Sequence, residues 1–290
     1  MRYGRLIPYL FIAPMAVGLL VFRIIPIGVS LAASFTEWNV ISPPVWVGLD
    51  NYREMLGAPA FWQVLGNTAL FAVIYVPGVM AVGLTLAVLV NRGLRGAAFF
   101  RGLYFMPYIT SMVAIALAWR WVFSTRFGLL NNALISVFGI ENPPAWQSDP
   151  AWALPSVAIV YIWQTSGFVM LLFLAGLQSI DDTVRDAARM DGAKPWQVFR
   201  YVTLPLLSPI IFFVMIIALI TSSQTFEVTY ALTQGGPNGS STTLAFSIYQ
   251  NAFVFFRMGY ASALAYTLLI LVGTLVAVNF YFRRRWVHYG

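Results

Sequence analysis

Asp186-Ala187-Ala188-Arg189-Met190-Asp191-Gly192-Ala193, with Phe199 and then Leu204-Pro205 downstream, is a short charged stretch between two long apolar ones. Trp152 to Gln178 precedes it and Leu206 to Tyr230 follows it, and each has the length needed to cross ~30 Å of hydrocarbon. A polar insertion between two such spans faces water and shows something to a partner. Asp186 to Met190 reads as the end of one short helix. Gly192 is a break, since glycine takes a left-handed conformation at little steric cost. Pro195 to Tyr201 starts a second helix, because proline suits a first turn whose N–H is not needed. Ala187, Ala188 and Ala193 keep the face flat, Phe199 offers an anchor, and Pro205 and Pro209 mark the entry of the next span. The expectation is a helix-turn-helix on the membrane surface. On these residues alone, a plain solvated loop is an equally open reading.

Outward from this stretch the chain is apolar. Hydrophobic residues make up 60% of it and charged residues 9%, with a mean hydropathy of +0.77. Soluble domains carry about 25% charged residues, so the balance is that of a bilayer protein. The apolar segments run from Leu6 to Ala33, Val64 to Val90, Leu103 to Phe123, Trp152 to Gln178, Leu206 to Tyr230 and Tyr260 to Phe282. This predicts an all-α membrane protein with six transmembrane helices. The first segment follows Arg2 and Arg5 but is too long for the h-region of a cleaved signal, so it reads as a retained anchor. Residues 34–63 form a polar-aromatic loop with a short helix expected around Asn51–Leu56. Residues 124–151 form another loop, and Gln234 to Ser240 is a turn-forming stretch.

Charge sets the orientation. Arg2, Arg5, Arg92, Arg95, Arg101, Arg185, Arg189, Lys194, Arg200, Arg283, Arg284 and Arg285 all fall on one side of a six-span layout. Positive residues mark the cytoplasmic face, so both termini and the Asp186 loop are placed there. The basic residues sit beside apolar spans as topology signals do, which speaks against nucleic acid as a partner and for membrane lipid. Absences narrow the chemistry further. There is no cysteine, the single histidine is His288 and the single lysine is Lys194. A His-dependent triad, a zinc set and a phosphate-cradling P-loop are all missing, so no catalytic or metal-ligating residue is assigned.

The Asp186 stretch resembles the EAA loop of ABC-importer permeases: Glu-Ala-Ala, then Asp-Gly-Ala, Phe and Leu-Pro. Here Asp186 stands for the Glu, with Ala187, Ala188, Asp191, Gly192, Ala193, Phe199, Leu204 and Pro205 in place. More of the chain is similar to the carbohydrate-uptake branch, related to maltose and glycerol-phosphate permeases. Gly48-Leu49-Asp50-Asn51-Tyr52, Trp119-Arg120-Trp121-Val122-Phe123, Gly235-Gly236-Pro237 and Met258-Gly259-Tyr260-Ala261 carry it, and the likeness covers residues 6–285. The resemblance implies one permease domain over residues 1–290, with residues 179–205 as a cytoplasmic coupling loop. It implies half of a solute pore in a bacterial or archaeal inner membrane, and not an enzyme. The expected partners are a second, different permease, two copies of a cytoplasmic ATPase that holds ATP and Mg, and an extracytoplasmic solute-binding protein. No cofactor is expected on this chain.

Two polar stripes are candidates for solute contact. Tyr161, Gln164, Thr165 and Phe168 fall at i, i+3, i+4 and i+7 of the fourth span, and Thr221, Ser222 and Thr225 form another in the fifth. Hydroxyls, amides and aromatic faces suit a sugar, a polyol or a glycerol phosphate; hydroxyls that bond their own helix backbone are the bland alternative. Only Arg23 is a candidate for basic pore lining, which favours a neutral solute. Glu227 is an acid at a span or its rim. An intramembrane enzyme lacks the residues it would need, and a proton-coupled carrier calls for more spans and midplane acids.

Overall fold

The computed structural model describes residues 7–91 and 96–286. Its helices are α1 (Ile7–Leu19), α2 (Ile25–Ala33), α3 (Asp50–Gly57), α4 (Pro59–Val90), α5 (Ala97–Ile109), α6 (Met112–Val122), α7 (Leu129–Phe138) and α8 (Pro150–Ser179). They continue as α9 (Asp182–Met190), α10 (Pro195–Val198), α11 (Leu204–Leu206), α12 (Ser208–Ser223), α13 (Leu244–Tyr249) and α14 (Met258–Trp286). Two-residue strands β1 (Thr36–Glu37) and β2 (Val45–Trp46) pair antiparallel, with Thr36 opposite Trp46. Arg2, Arg5, Arg92, Arg95 and His288 lie outside the described residues, so part of the charge asymmetry does too.

Among the described residues four helices are long and apolar enough to cross a bilayer, and counting each of two bent pairs as one span gives six. The chain is thus an all-α membrane protein, with a correction at two spans. Leu103 to Phe123 is not one helix: α5 and α6 meet at 99°. Thr110 and Ser111 are extended (ψ 146° and 125°), so no helical hydrogen bonds cross the junction. The fifth segment starts at a bend, where Pro195–Leu206 and Ser208–Ser223 meet at 67° beside the prolines expected to mark its entry. Pro209 has no N–H for the carbonyl four residues back, and its ring crowds that carbonyl. This span also ends early, at Ser223, and Thr229–Thr233 forms a separate π-helical turn. In the first span α1 and α2 are joined by a π-helical turn at Leu20–Ile24, just ahead of Pro26. The expected helix near Asn51–Leu56 is α3, whereas α7 was not foreseen.

The chain packs as two units: Met1–Phe61 with Ser247–Leu269, and Trp62–Phe246 with Ile270–Gly290. In the first unit Asn51 Nδ2 donates to the carbonyls of Ser34 and Thr36 at 2.9 Å each, and Tyr52 donates to Ser34 Oγ at 2.8 Å. These bonds seat α3 against the end of α2 and β1. No residue in the apolar window of the Tyr9–Ala33 span is buried.

The second unit is built around α8, whose apolar window is 67% buried. Phe71, Tyr75 and Val79 of α4, Ile115 and Ala116 of α6, and Val157, Val160, Met170 and Phe173 of α8 make its core. Lipid is as apolar as leucine, so helices associate here by close packing of small residues. Gly167 shows this directly: any Cβ there would collide with the Tyr104 carbonyl of α5. The α8 and α5 backbones touch at that point.

Candidate functional site: the elbow and the polar stripe

The elbow is built by local chemistry. Asp181 caps α9 by accepting the Thr183 N–H at 2.9 Å. Asp182 and Asp186 pair with Arg185 and Arg189 one turn on, at 2.7 and 2.9 Å. At the far end Gly192 takes φ +81°. The Ala193 N–H bonds the Ala188 carbonyl and the Gly192 N–H the Arg189 carbonyl, each at 3.0 Å. Those two bonds define a Schellman stop, which requires the left-handed residue that glycine supplies. The chain restarts at once: Lys194 N–H donates to Gln197 Oε1 at 2.7 Å, and Pro195 opens α10. Two short helices joined by a turn at Gly192 are therefore present, the second ending at Val198 and passing into a π-helical turn over Phe199–Thr203.

Arg185 ties the elbow to the bundle. Its guanidinium donates to the Leu177 carbonyl at the end of α8 at 2.5 Å, and its side chain is mostly buried. Val198 is the buried anchor (6% exposed), while Phe199 is only half-buried and tilts against Trp196. Asp186, Ala187, Asp191 and Gly192 are exposed; Ala188, Ala193, Leu204 and Pro205 are half-buried. Met190 is 91% exposed, Trp196 66% and Tyr201 71%. Large apolar side chains thus stand in a polar segment. Asp181 has its carboxyl held below the usual range, first by the Thr183 N–H and then by the Thr183 hydroxyl.

The α8 stripe divides between two neighbours. Tyr161 and Thr165 turn to α4: the Tyr75 hydroxyl lies 3.1 Å from Thr165 Oγ1, and Tyr161 packs edge-on to Phe71 and Tyr75. Gln164 and Phe168 turn to α5: Gln164 Nε2 donates to the Tyr108 carbonyl at 3.3 Å, and Phe168 stacks on the Tyr108 ring at 4.6 Å. Tyr161 also donates to Glu227 Oε2 at 3.2 Å, which joins α8 to the segment after α12. At and just beyond the end of α12 the hydroxyls bond nearby backbone carbonyls. Ser222 donates to the Leu219 carbonyl at 2.7 Å, and Thr225 donates to the Ser222 carbonyl at 2.8 Å. Thr221 is half-buried. Among the described residues no three His, Asp or Glu side chains gather as a metal site would need.

Residues 79–285 match the family model described as binding-protein-dependent transport system inner membrane component. The chain belongs to that family. This permease is 39% identical over 292 residues to the probable ABC transporter permease protein YesP of Bacillus subtilis (strain 168), covering 99% of this chain and 94% of that protein. It is 34% identical over 288 residues to the lactose transport system permease protein LacF of Rhizobium radiobacter, covering 98% and 96%. A chain in the crystal structure of a bacterial alginate ABC transporter, bound to its alginate pentasaccharide-loaded periplasmic protein, shares the fold. Its TM-score is 0.83 at 22% identity, over 98% of this chain and 96% of that one. The relatives are transporter permease subunits and not enzymes.

The matched region of the permease contains the whole elbow and both stripes. The sequence reading missed Tyr75, Phe71 and Tyr108, which hold the stripe from other helices. It also missed how the loop after Thr233 is pinned: Asn67 Nδ2 donates to the Gly239 and Thr242 carbonyls at 2.8 and 2.9 Å, and Gln63 Nε2 to the Asn238 carbonyl at 3.0 Å. The signal was present in the polar residues at the start of α4, but their partners lie about 170 residues away along the chain.

Proposed function

We propose that this permease is half of the pore of an ATP-driven sugar importer, moved by a separate ATPase that grips the elbow at Gly192. The exposed Met190, Trp196 and Tyr201 carry the reading, because apolar side chains in a charged, water-facing turn are what a docking surface displays. Asp186, Ala187, Ala188, Asp191, Gly192, Ala193, Phe199, Leu204 and Pro205 form the coupling set within residues 179–205. Two ATPase copies, carrying ATP and Mg, would close and rock this chain against a second, different permease. Packed interfaces switch between discrete arrangements, so a rigid elbow suits a lever. An extracytoplasmic binding protein would deliver the solute at the outer loops, and both termini would be cytoplasmic in the inner membrane.

A neutral mono- or oligosaccharide is the favoured solute. The lactose relative supports it, and so do the hydroxyl, amide and aromatic groups of Tyr161, Gln164, Thr165, Phe168 and Thr221. Because the chain has no cysteine, single-cysteine labelling tests the topology cleanly. Lys194→Cys should react with an impermeant maleimide only in inverted vesicles and should crosslink to a nucleotide-hydrolysing subunit. Labelling from the outside, or transport unchanged after the crosslink, defeats the assignment.

A further inference from the structure

In the first unit a cavity of 630 Å³ opens between the β1–β2 hairpin, α3 and the start of α14. Its walls include Glu37, Trp38, Asn39, Asp50, Arg257 and Tyr260. That volume lies within the ~300–1,000 Å³ of small-molecule sites. We infer that this cavity is an outer-face sugar subsite, separate from the α8 and α12 stripes, that holds a neutral pyranoside by its hydroxyls. The inference rests on the sugar-importer reading above and on its placement of this loop outside.

The case is made by the mixture of donors and acceptors. Arg257 donates through one NH2 group to both Glu54 oxygens at 2.6 Å and lies 4.6 Å from the Tyr260 ring centre. Its guanidinium is therefore fixed, and its other N–H groups have no partner among the described residues. The Asn39 side-chain oxygen accepts the N–H groups of Ile41 and Ser42 at 3.1 and 2.8 Å, which leaves its NH2 free to donate. The Glu37 carboxylate has no partner among the described residues, and Asp50 uses one oxygen on Arg53 at 3.1 Å. A sugar hydroxyl both donates and accepts, so this set serves it at several points. The Trp38 ring adds an aromatic wall for the C–H face of a pyranose.

A cationic ligand would meet the acids but also the fixed Arg257, and an anion would meet three carboxylates. A neutral polyhydroxyl ligand uses both signs. The walls are also held in place. Asn51 locks β1 through the Thr36 carbonyl, and Gly259 passes so close to that carbonyl that no side chain fits. In contrast, the 770 Å³ cavity beside Trp119 and Trp163 in the second unit is lined mostly by apolar side chains and holds no charged one. It is suited to apolar groups.

The test uses the assembled transporter in lipid nanodiscs without its binding protein, and equilibrium dialysis with radiolabelled lactose, maltose and trehalose. At least one should bind, with Kd on the order of 1 mM. Trp38→Ala and the pair Glu37→Gln with Asp50→Asn should each weaken it about tenfold. Glu141→Gln, which removes one acid elsewhere, should not. Both acid changes are isosteric, so a monodisperse variant with wild-type affinity overturns the subsite. So does loss of binding-protein docking with sugar affinity intact, which would mean that the cavity takes a protein side chain. Uptake in proteoliposomes, measured in parallel with the binding protein added, separates the two failures. If no sugar is carried, the sugar reading falls and the subsite with it. If sugars are carried but the variants bind as wild type does, only the subsite falls.

Discussion

The elbow and the α8 stripe belong to one packing unit and invert each other. In the elbow, water-facing backbone carries exposed Met190, Trp196 and Tyr201, while its charges pair with near neighbours. In α8, a lipid-spanning helix carries buried Tyr161, Gln164 and Thr165, satisfied by Glu227, Tyr108 and Tyr75. Each region places side chains where the surrounding solvent disfavours them. The elbow bears that cost on its surface, ready for a partner to relieve it. The stripe relieves it internally, which makes it rigid. On the proposed reading, the elbow is the region a partner grips and the stripe is the region that holds its shape.

The largest effect should come from breaking the elbow. Gly192→Pro cannot adopt φ +81° and loses the N–H that bonds Arg189. Uptake should fall to background while the permease still inserts in the membrane at normal level. Normal uptake by this variant would remove the elbow from the mechanism.

Breaking α8 should cost stability first. Gly167→Val forces a side chain into the Tyr104 carbonyl, and overpacking of this kind costs about 1–3 kcal/mol or more. Thermal unfolding of the detergent-solubilised transporter should begin several degrees lower. An unchanged Tm would mean that α5 and α8 can separate freely.

The same contrast explains what the sequence made legible. Gly192, Pro195 and the alanines act through bonds within a few residues, so the elbow could be read from composition and order. The spans could be read from their length. The bends could not: Thr110 and Ser111 carry no breaker of their own, and α5 ends there through extended backbone. Tyr161, Gln164, Thr165 and Phe168 were read as one stripe of α8, yet they divide between α4 and α5. Tyr75 and Tyr108 decide that division, and they are distant in the chain. Ser222 and Thr225 were candidates for solute contact, but their hydroxyls bond nearby backbone carbonyls.

Two smaller changes sharpen the comparison. Trp196→Ala removes exposed apolar area without touching the Schellman stop, so the fold should stand. Buried aromatic anchors at interfaces contribute about 2 kcal/mol or more, so ATPase affinity should drop about thirtyfold or further in a pull-down titration. Retained affinity would shift the docking role to Met190 or Tyr201. Tyr161→Phe deletes only the hydroxyl that reaches Glu227. A bond worth about 0.5–1.5 kcal/mol predicts a two- to tenfold rise in the KM for uptake with expression unchanged.

The smallest effect should be the pH response of the elbow's first turn. Asp181 is depressed below the usual carboxylate range because its charged form accepts the Thr183 N–H. A depressed acid stabilises the folded form at every pH above its unfolded value, and that contribution disappears as pH falls through the lower, folded value. Hydrogen exchange at the start of α9 should therefore be flat from neutral pH down to the ordinary carboxylate range and should loosen only below it. Asn caps a helix about as well as Asp but does not titrate there. Asp181→Asn should keep the protection at neutral pH and lose the acid-dependent loosening. If the variant loosens with acid just as the wild type does, the pH response lies in another group, and the cap at Asp181 is neutral in the elbow's rigidity.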